Sequence, residues 1–166
     1  MKHKITNCLY CYQLLSELEQ DFHSSCAKKM FGTKQVPIID FDLKQLEELA
    51  KQIVIKSIAV TGVQPKLSLE LERHKNELSR LTIVSLHGNY ILKPPSTEYK
   101  ELPQNEDVTM HLASLVKIKT AQHSLIRLHS GELAYITKRF DRIKKDKIAV
   151  EDFCQLTENL TEHKYR

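Results

Sequence analysis

Three cysteines and one histidine near the start of the chain have the types and the spacing of a metal site. Their order is C-x2-C, then eleven residues, then H-x2-C, and the four side chains are Cys8, Cys11, His23 and Cys26. Thiolate and imidazole groups are the ligands that tetrahedral Zn²⁺ accepts, so the pattern allows zinc binding. The alternative is a set of buried or free thiols on a short helical element, because the glycine-rich turns of zinc knuckles are missing.

A second set of residues has the chemistry to hold phosphate. The stretch TGVQPK, residues 61–66, places one glycine ahead of an alternating apolar run, and Lys93 ends the run YILK. A lysine ammonium can bind nucleotide phosphates as a point charge. The single glycine does not make the G-x-G-x-x-G pattern of a kinase loop. Lys93 could equally be an exposed lysine on an edge strand, so both interpretations stay open at this point.

The elements that must position these residues follow one another in a regular order. A helix is predicted over residues 43–54, where apolar residues recur at helical spacing after the N-cap residue Asp42. Alternating and β-branched runs predict strands over residues 67–71, 81–86, 90–93, 125–128 and 133–137. A second helix is predicted over residues 103–118, between the third and fourth strands, and a final helix from about Val150. The apolar face of the second helix consists of Val108, His111 or Leu112, Leu115 and Val116.

This order of elements is that of a protein-kinase N-lobe. The predicted fold is therefore α+β, an antiparallel sheet of about five strands with a helix between strands three and four, preceded by a short helical Cys/His segment. In such a lobe a loop near the first strand covers the phosphates, a lysine on the third strand holds them, and the segment after the fifth strand receives the adenine. We expect residues 1–56 to form the N-terminal segment, residues 57–140 the lobe, and residues 141–166 the hinge exit and the start of a helical C-lobe.

Composition and charge exclude several classes of protein. With 166 residues, 41% hydrophobic and 28% charged, the chain is an ordinary globular protein rather than a low-complexity one. A net charge of +4 is too small to select nucleic acid as a partner. The apolar runs are too short to span a membrane and the first residues lack the apolar part of a signal peptide, so we expect a cytoplasmic protein.

Five sequence blocks resemble the HipA family of bacterial toxin kinases. They are TGVQPKLSL, YILKPP, LPQNEDVTMHLA, GELAYITKRFDR and EDFCQL, in the order and spacing of that family. The resemblance implies a serine/threonine protein kinase that uses ATP with Mg²⁺ and acts as the toxin of a toxin–antitoxin system. It also implies a DNA-binding antitoxin as partner, with DNA contacted only through that antitoxin. The implied substrate is an aminoacyl-tRNA synthetase, whose phosphorylation inhibits translation.

The resemblance assigns roles residue by residue. It matches the phosphate-covering loop to Thr61, Gly62, Val63, Gln64, Pro65 and Lys66, the nucleotide-binding lysine to Lys93, and the hinge to Lys138, Arg139 and Phe140. The backbone of the hinge would pair with the adenine. Glu106 could be the carboxylate that orients Lys93, or only a charge near the start of a helix. Arg139 could equally form a structural ion pair with Asp141.

Ser57 matches the family's site of autophosphorylation, although it could instead be a hydroxyl that caps a helix end. Ala59 stands where relatives often have a second serine, which puts two-site regulation in doubt.

The chain departs from larger HipA proteins at both ends. Only 56 residues precede Ser57, so it resembles the short branch of HipBST-type systems, in which a small antitoxin supplies the missing N-terminal subdomain. The catalytic and metal-binding aspartates of the family lie in a C-lobe beyond TENLTEHKYR, so we expect no catalytic residue within these 166 residues and no activity from them alone. The alternative function is a zinc-dependent module that binds nucleic acid or protein without catalysis.

Overall fold

A computed structural model describes residues 7–46, 48–49, 66–73, 77–84, 88–96, 99–143 and 146–159. Ser57 and the loop residues Thr61, Gly62, Val63, Gln64 and Pro65 lie outside the described residues, so their assignments stay predictions. The same holds for residues 50–54 of the first predicted long helix, whose residues 43–46 and 48–49 are helical.

Five strands form one antiparallel sheet, as the sequence predicts. They are β1 (Leu67–Glu72), β2 (Arg80–Ile83), β3 (Tyr90–Lys93), β4 (His123–Arg127) and β5 (Leu133–Lys138). Their order across the sheet is β2-β1-β3-β5-β4, and every neighbouring pair is antiparallel. A short hairpin of β6 (Arg142–Ile143) and β7 (Asp146–Lys147) follows β5.

Besides the helical residues 43–46 and 48–49, three helices lie within the described residues. Helix α1 (Ser24–Phe31) precedes it, α2 (Leu102–Leu115) lies between β3 and β4, and α3 (Phe153–Leu156) comes last. The mixed fold with a helix between the third and fourth strands confirms the prediction of an α+β architecture. The last helix begins at Phe153 rather than near Val150, because Asp152 and Gln155 form a capping box that fixes its start.

The pleat of the strands sorts side chains onto two faces of the sheet. On one face, alternate strand residues such as Leu69, Leu92 and Ile136 share a buried cluster with Met30 and Phe31 of α1. The N-terminal Cys/His segment therefore shares the hydrophobic core of the sheet instead of forming a core of its own. Burial of this apolar surface is the main force that holds the segment in place.

Gly88 shows how closely the chain approaches the sheet at the turn into β3. A Cβ atom at this position would lie 2.3 Å from the carbonyl oxygen of Leu69, which is far inside van der Waals contact. Only glycine therefore allows the turn to rest on β1. The close approach also brings Asn89 to Glu70, whose carboxylate accepts a hydrogen bond of 2.8 Å from the Asn89 side chain.

Helix α2 does not bury the apolar face that its sequence pattern defines. The apolar face that includes Val108, Leu112, Leu115 and Val116 is exposed, and the Leu115 side chain reaches 77% exposure. The residues that α2 buries are Pro103 and Asp107. The reason lies in the sheet face beneath the helix, which carries polar groups that need polar partners, as described below.

Among the described residues, every helix is too short or too polar to cross a membrane.

Candidate functional site

Lys93 and Glu106 form an ion pair between the sheet and helix α2. Lys93 is the last residue of β3, and Glu106 is the fifth residue of α2. The Lys93 ammonium donates a hydrogen bond to Glu106 Oε1, and the two side chains are only 20% and 26% exposed. An acidic charge at a helix start acts within the first turn. Because α2 begins at Leu102, Glu106 lies beyond that turn. The structure thus brings together the two residues that the sequence offered as partners.

Tyr135 forms the floor beneath this ion pair. The register of β3 and β5 pairs Lys93 with Tyr135, and paired residues of antiparallel strands point to the same face of the sheet. The Lys93 Nζ lies 5.4 Å from the centroid of the Tyr135 ring, which is within the range of a cation–π contact. Burial and the nearby Glu106 carboxylate raise the pKa of Tyr135, so its hydroxyl stays protonated at neutral pH.

Asp107, next to Glu106, anchors α2 to the rest of the fold. Its side chain is completely buried. It accepts hydrogen bonds of 2.5 Å from the Tyr12 hydroxyl and 2.7 Å from His123 Nδ1. His111 Nε2 lies 3.5 Å from Asp107 Oδ2, too far for a good hydrogen bond, and burial lowers the pKa of His111. Sequence reasoning missed this network because Tyr12 and Asp107 are 95 residues apart.

The predicted hinge continues from the end of β5. The backbone N–H of Lys138 donates to the Gln122 carbonyl oxygen at 2.8 Å, and that of Arg139 donates to the Asn89 carbonyl oxygen at 2.8 Å. The Arg139 guanidinium makes two hydrogen bonds to the Asp141 carboxylate, of 2.8 and 2.6 Å, and these lower the pKa of Asp141. The Arg139 side chain therefore has a structural partner. Phe140 is exposed.

Lys66 is the part of the predicted phosphate loop that the structure describes. The register of β1 and β3 pairs Leu67 with Leu92, so residue 66 comes next to Lys93 on the neighbouring strand. Lys66 itself is exposed. Residue 66, the last residue of the predicted loop, thus lies directly beside the Lys93–Glu106 pair.

The four residues of the N-terminal cluster come together. One ligand atom from each of Cys8, Cys11, His23 and Cys26 lies within 4.8 Å of the others. Burial, with the neighbouring Cys11 and Cys8, raises the pKa of Cys26 to about 12. For Cys8, burial would raise the pKa, but the backbone N–H groups of His23, Tyr10 and Cys11 outweigh it, so that the pKa is lowered.

Comparison with known proteins gives a family and several relatives. The sequence profile of the HipA-like C-terminal domain matches residues 58–166. A Haemophilus influenzae protein named "Putative kinase" is 33% identical over 96 residues, which cover 55% of this chain and 26% of that protein. "Putative kinase Y4dM" of Sinorhizobium fredii is 30% identical over 118 residues, which cover 64% of this chain and 29% of that protein.

A solved structure also aligns with the chain. It is the complex of HipA, HipB and operator DNA from a toxin–antitoxin system of Shewanella oneidensis MR-1, and the alignment covers 81% of this chain and 30% of that chain. The identity is 21% and the TM-score is 0.36. The chain spans less than a third of the length of each of these relatives. Since the family profile covers more than half of the chain, this protein belongs to the HipA-like C-terminal domain family.

Proposed function

We propose that this chain is the ATP-binding lobe of a serine/threonine kinase that acts as the toxin of a toxin–antitoxin system. The observation that carries the proposal is the Lys93–Glu106 ion pair at the end of β3, beside the strand that leads to the hinge. A lysine held by a carboxylate on a helix is the arrangement with which kinases bind the phosphates of ATP. The family membership and the names of the two relatives support the same chemistry.

In this proposal Lys93 binds the phosphates and Glu106 orients Lys93. A lysine ammonium has three N–H donors, and the contact with Glu106 uses one of them. The remaining donors can bind phosphate oxygens, while Glu106 and the Tyr135 ring hold the ammonium in one place. ATP, bound with Mg²⁺, supplies the phosphoryl group. This chain contributes charge and orientation, the two main sources of rate enhancement in phosphoryl transfer.

The hinge contacts to adenine can be assigned more narrowly than the sequence allowed. The N–H groups of Lys138 and Arg139 already donate to Gln122 and Asn89. We therefore propose that the Phe140 N–H donates a hydrogen bond to adenine. The carbonyl groups of residues 138–140 are the proposed acceptors of hydrogen bonds from adenine. This assignment leaves the Arg139 side chain with Asp141, where it shapes the hinge without touching the nucleotide.

The partners follow from the family rather than from the geometry. We propose a DNA-binding antitoxin, through which alone the protein meets DNA, and a small antitoxin that supplies an N-terminal subdomain. The proposed substrate is an aminoacyl-tRNA synthetase in the cytoplasm. The solved Shewanella oneidensis complex holds HipA with HipB and operator DNA.

The experiment that tests the kinase proposal uses the complete protein that contains this chain. Calorimetry should detect binding of ATP with Mg²⁺, and radiolabelled ATP should transfer its phosphate to a serine or threonine. Binding of nucleic acid with a strong salt dependence, without binding of ATP, would instead favour the zinc-dependent binding module.

Phosphorylation of Ser57 is expected to reduce ATP binding. The phosphate would add about two negative charges a few residues before the loop that must surround the phosphates of ATP. The variant Ser57→Asp in the complete protein should therefore bind ATP more weakly than Ser57→Ala, and mass spectrometry should find phosphate on Ser57 of the active protein. Mass spectrometry also distinguishes Ser57 from Thr61, the next hydroxyl along the chain and the rival acceptor of the phosphate. Equal ATP affinities for both Ser57 variants would leave Ser57 with a capping role only.

A further inference from the structure

The Cys/His cluster has the dimensions of a metal site. Cys11 Sγ lies 3.4 Å from His23 Nδ1, and Cys26 Sγ lies 3.7 Å from the same nitrogen. In a tetrahedral zinc site with Zn–S of about 2.3 Å and Zn–N of about 2.0–2.1 Å, sulfur and nitrogen are separated by about 3.6 Å. Both observed distances are close to that edge length. These two edges of the cluster therefore already have about the length that a zinc ion bound between them requires.

The hydrogen bond of His23 leaves the correct nitrogen available for a metal. His23 Nε2 lies 3.0 Å from the carbonyl oxygen of Leu14. A carbonyl oxygen can only accept a hydrogen bond, so Nε2 carries the proton, and in the neutral ring that binds a metal Nδ1 keeps its lone pair. That lone pair faces the sulfur atoms of Cys11 and Cys26. Histidine ligands of metal sites are commonly fixed in this way by a backbone carbonyl.

Two backbone segments, a hydrogen-bonded turn and the start of α1, supply the four ligands in pairs. The first turn is closed by the Cys8 N–H, which donates to the Gln13 carbonyl at 2.8 Å, and by the Tyr12 N–H, which donates to the Cys8 carbonyl at 2.9 Å. The second pair comes from the start of α1, where His23 is the N-cap residue and Cys26 lies in the first turn. Cys8 is completely buried. Such a closed arrangement suits a structural metal better than a catalytic one.

We propose that Cys8, Cys11, His23 and Cys26 bind one Zn²⁺ as a structural site, and that this site holds Tyr12 in contact with Asp107. Three sulfur ligands and one imidazole favour zinc over the hard cations magnesium and calcium. Tyr12 follows Cys11 directly and has a left-handed backbone conformation with φ of 62°, which is uncommon for a tyrosine. The metal-closed turn keeps Tyr12 in this conformation, and its hydroxyl reaches Asp107 at 2.5 Å.

Through Tyr12, the zinc site would also stabilise the position of helix α2. Asp107 is the neighbour of Glu106, so the contact from Tyr12 fixes the part of α2 that presents Glu106 to Lys93. Tyr12 is a positioning residue in this arrangement. Only this last step, from α2 to ATP, rests on the proposed kinase function; zinc binding and the anchoring of α2 do not.

Metal analysis of the complete protein tests the zinc site directly. The protein is purified under reducing conditions, incubated with Zn²⁺ and desalted. We expect about one equivalent of zinc in the parent protein and in Cys154→Ser, whose cysteine lies in α3. Cys11→Ser should lose most of the metal. A parent protein without zinc, or a Cys11→Ser variant with as much zinc as the parent, would overturn the proposal.

Two further measurements test the zinc site without the Cys11→Ser variant. Cobalt replacing zinc in the parent should give the absorption bands of tetrahedral Co²⁺ with thiolate ligands, and their absence contradicts the site. Removal of zinc by a chelator should speed amide hydrogen exchange in α2 of the parent, and should add little in Tyr12→Phe, where the contact to Asp107 is already lost. Unchanged exchange in α2 after zinc removal would refute the anchoring role, whatever the ATP affinity.

Discussion

Replacement of Lys93 by alanine is expected to raise the Kd for ATP with Mg²⁺ by about 10- to 150-fold. A hydrogen bond to a charged group contributes about 1.5–3 kcal/mol, and this range corresponds to the stated loss of affinity. Calorimetry on the complete protein measures the effect. The cost to stability should be smaller than for a completely buried pair, because the Glu106 side chain is 26% exposed and can be partly hydrated once its partner is gone.

Two other variants separate a specific role of Lys93 from a general loss of positive charge. Lys119→Ala removes an exposed lysine outside the candidate site and should leave ATP affinity unchanged. Glu106→Gln keeps the ammonium but weakens its orientation, so its effect should be smaller than that of Lys93→Ala. The double variant should lose less than the sum of the two single effects, because the residues act as a pair. ATP affinity that is unchanged in Lys93→Ala would refute the assignment of the site.

The strands and the position of Lys93 could be predicted because they depend on local patterns. In β1, Leu67 and Leu69 alternate with Ser68 and Glu70, and a period of two is enough to define a strand and its buried face. The same local information places Lys93 at the end of β3. Its contact with Glu106 was one of two open alternatives, because residues on different elements meet only when their relative placement is known.

The orientation of α2 could not be predicted from its own pattern. Hydrophobic periodicity normally identifies the buried face of a helix, and Leu112 and Leu115 fit that pattern. Here the sheet beneath α2 presents Lys93 and His123, and these groups need the carboxylates of Glu106 and Asp107. Pairing of buried polar groups therefore outweighs burial of apolar ones at this interface.

The role of Tyr12 was also beyond sequence reasoning. The spacing of the cysteines and His23 allows a zinc site, but the absence of glycine in the turn argues against a zinc knuckle. In the structure Tyr12 adopts the left-handed conformation that glycine favours, with φ of 62°. The strain of this conformation is offset by a contact that glycine could not make, the hydrogen bond from the Tyr12 hydroxyl to Asp107.

Replacement of Asp107 by alanine is expected to be the most destabilising of these changes, with a loss of about 3–5 kcal/mol in the free energy of unfolding. The carboxylate is completely buried and accepts hydrogen bonds from Tyr12 and His123. Its removal would leave both donors without an acceptor in a buried site, and a lost partner there costs more than the bond itself contributes. Urea unfolding of the complete protein, followed by circular dichroism, measures the loss.

Asp40→Ala is the matched control, since it removes an aspartate from an ion pair with Arg80 in which the Asp40 side chain is 51% exposed. Exposed pairs contribute about 0–1 kcal/mol, so this variant should remain close to the parent in stability. Asp107→Asn should fall between the two, because an amide keeps one acceptor oxygen but turns an NH₂ group toward the second donor. If Asp107→Ala were no less stable than Asp40→Ala, the buried network would not anchor α2, and Glu106 would have to be positioned by contacts other than those of its neighbour.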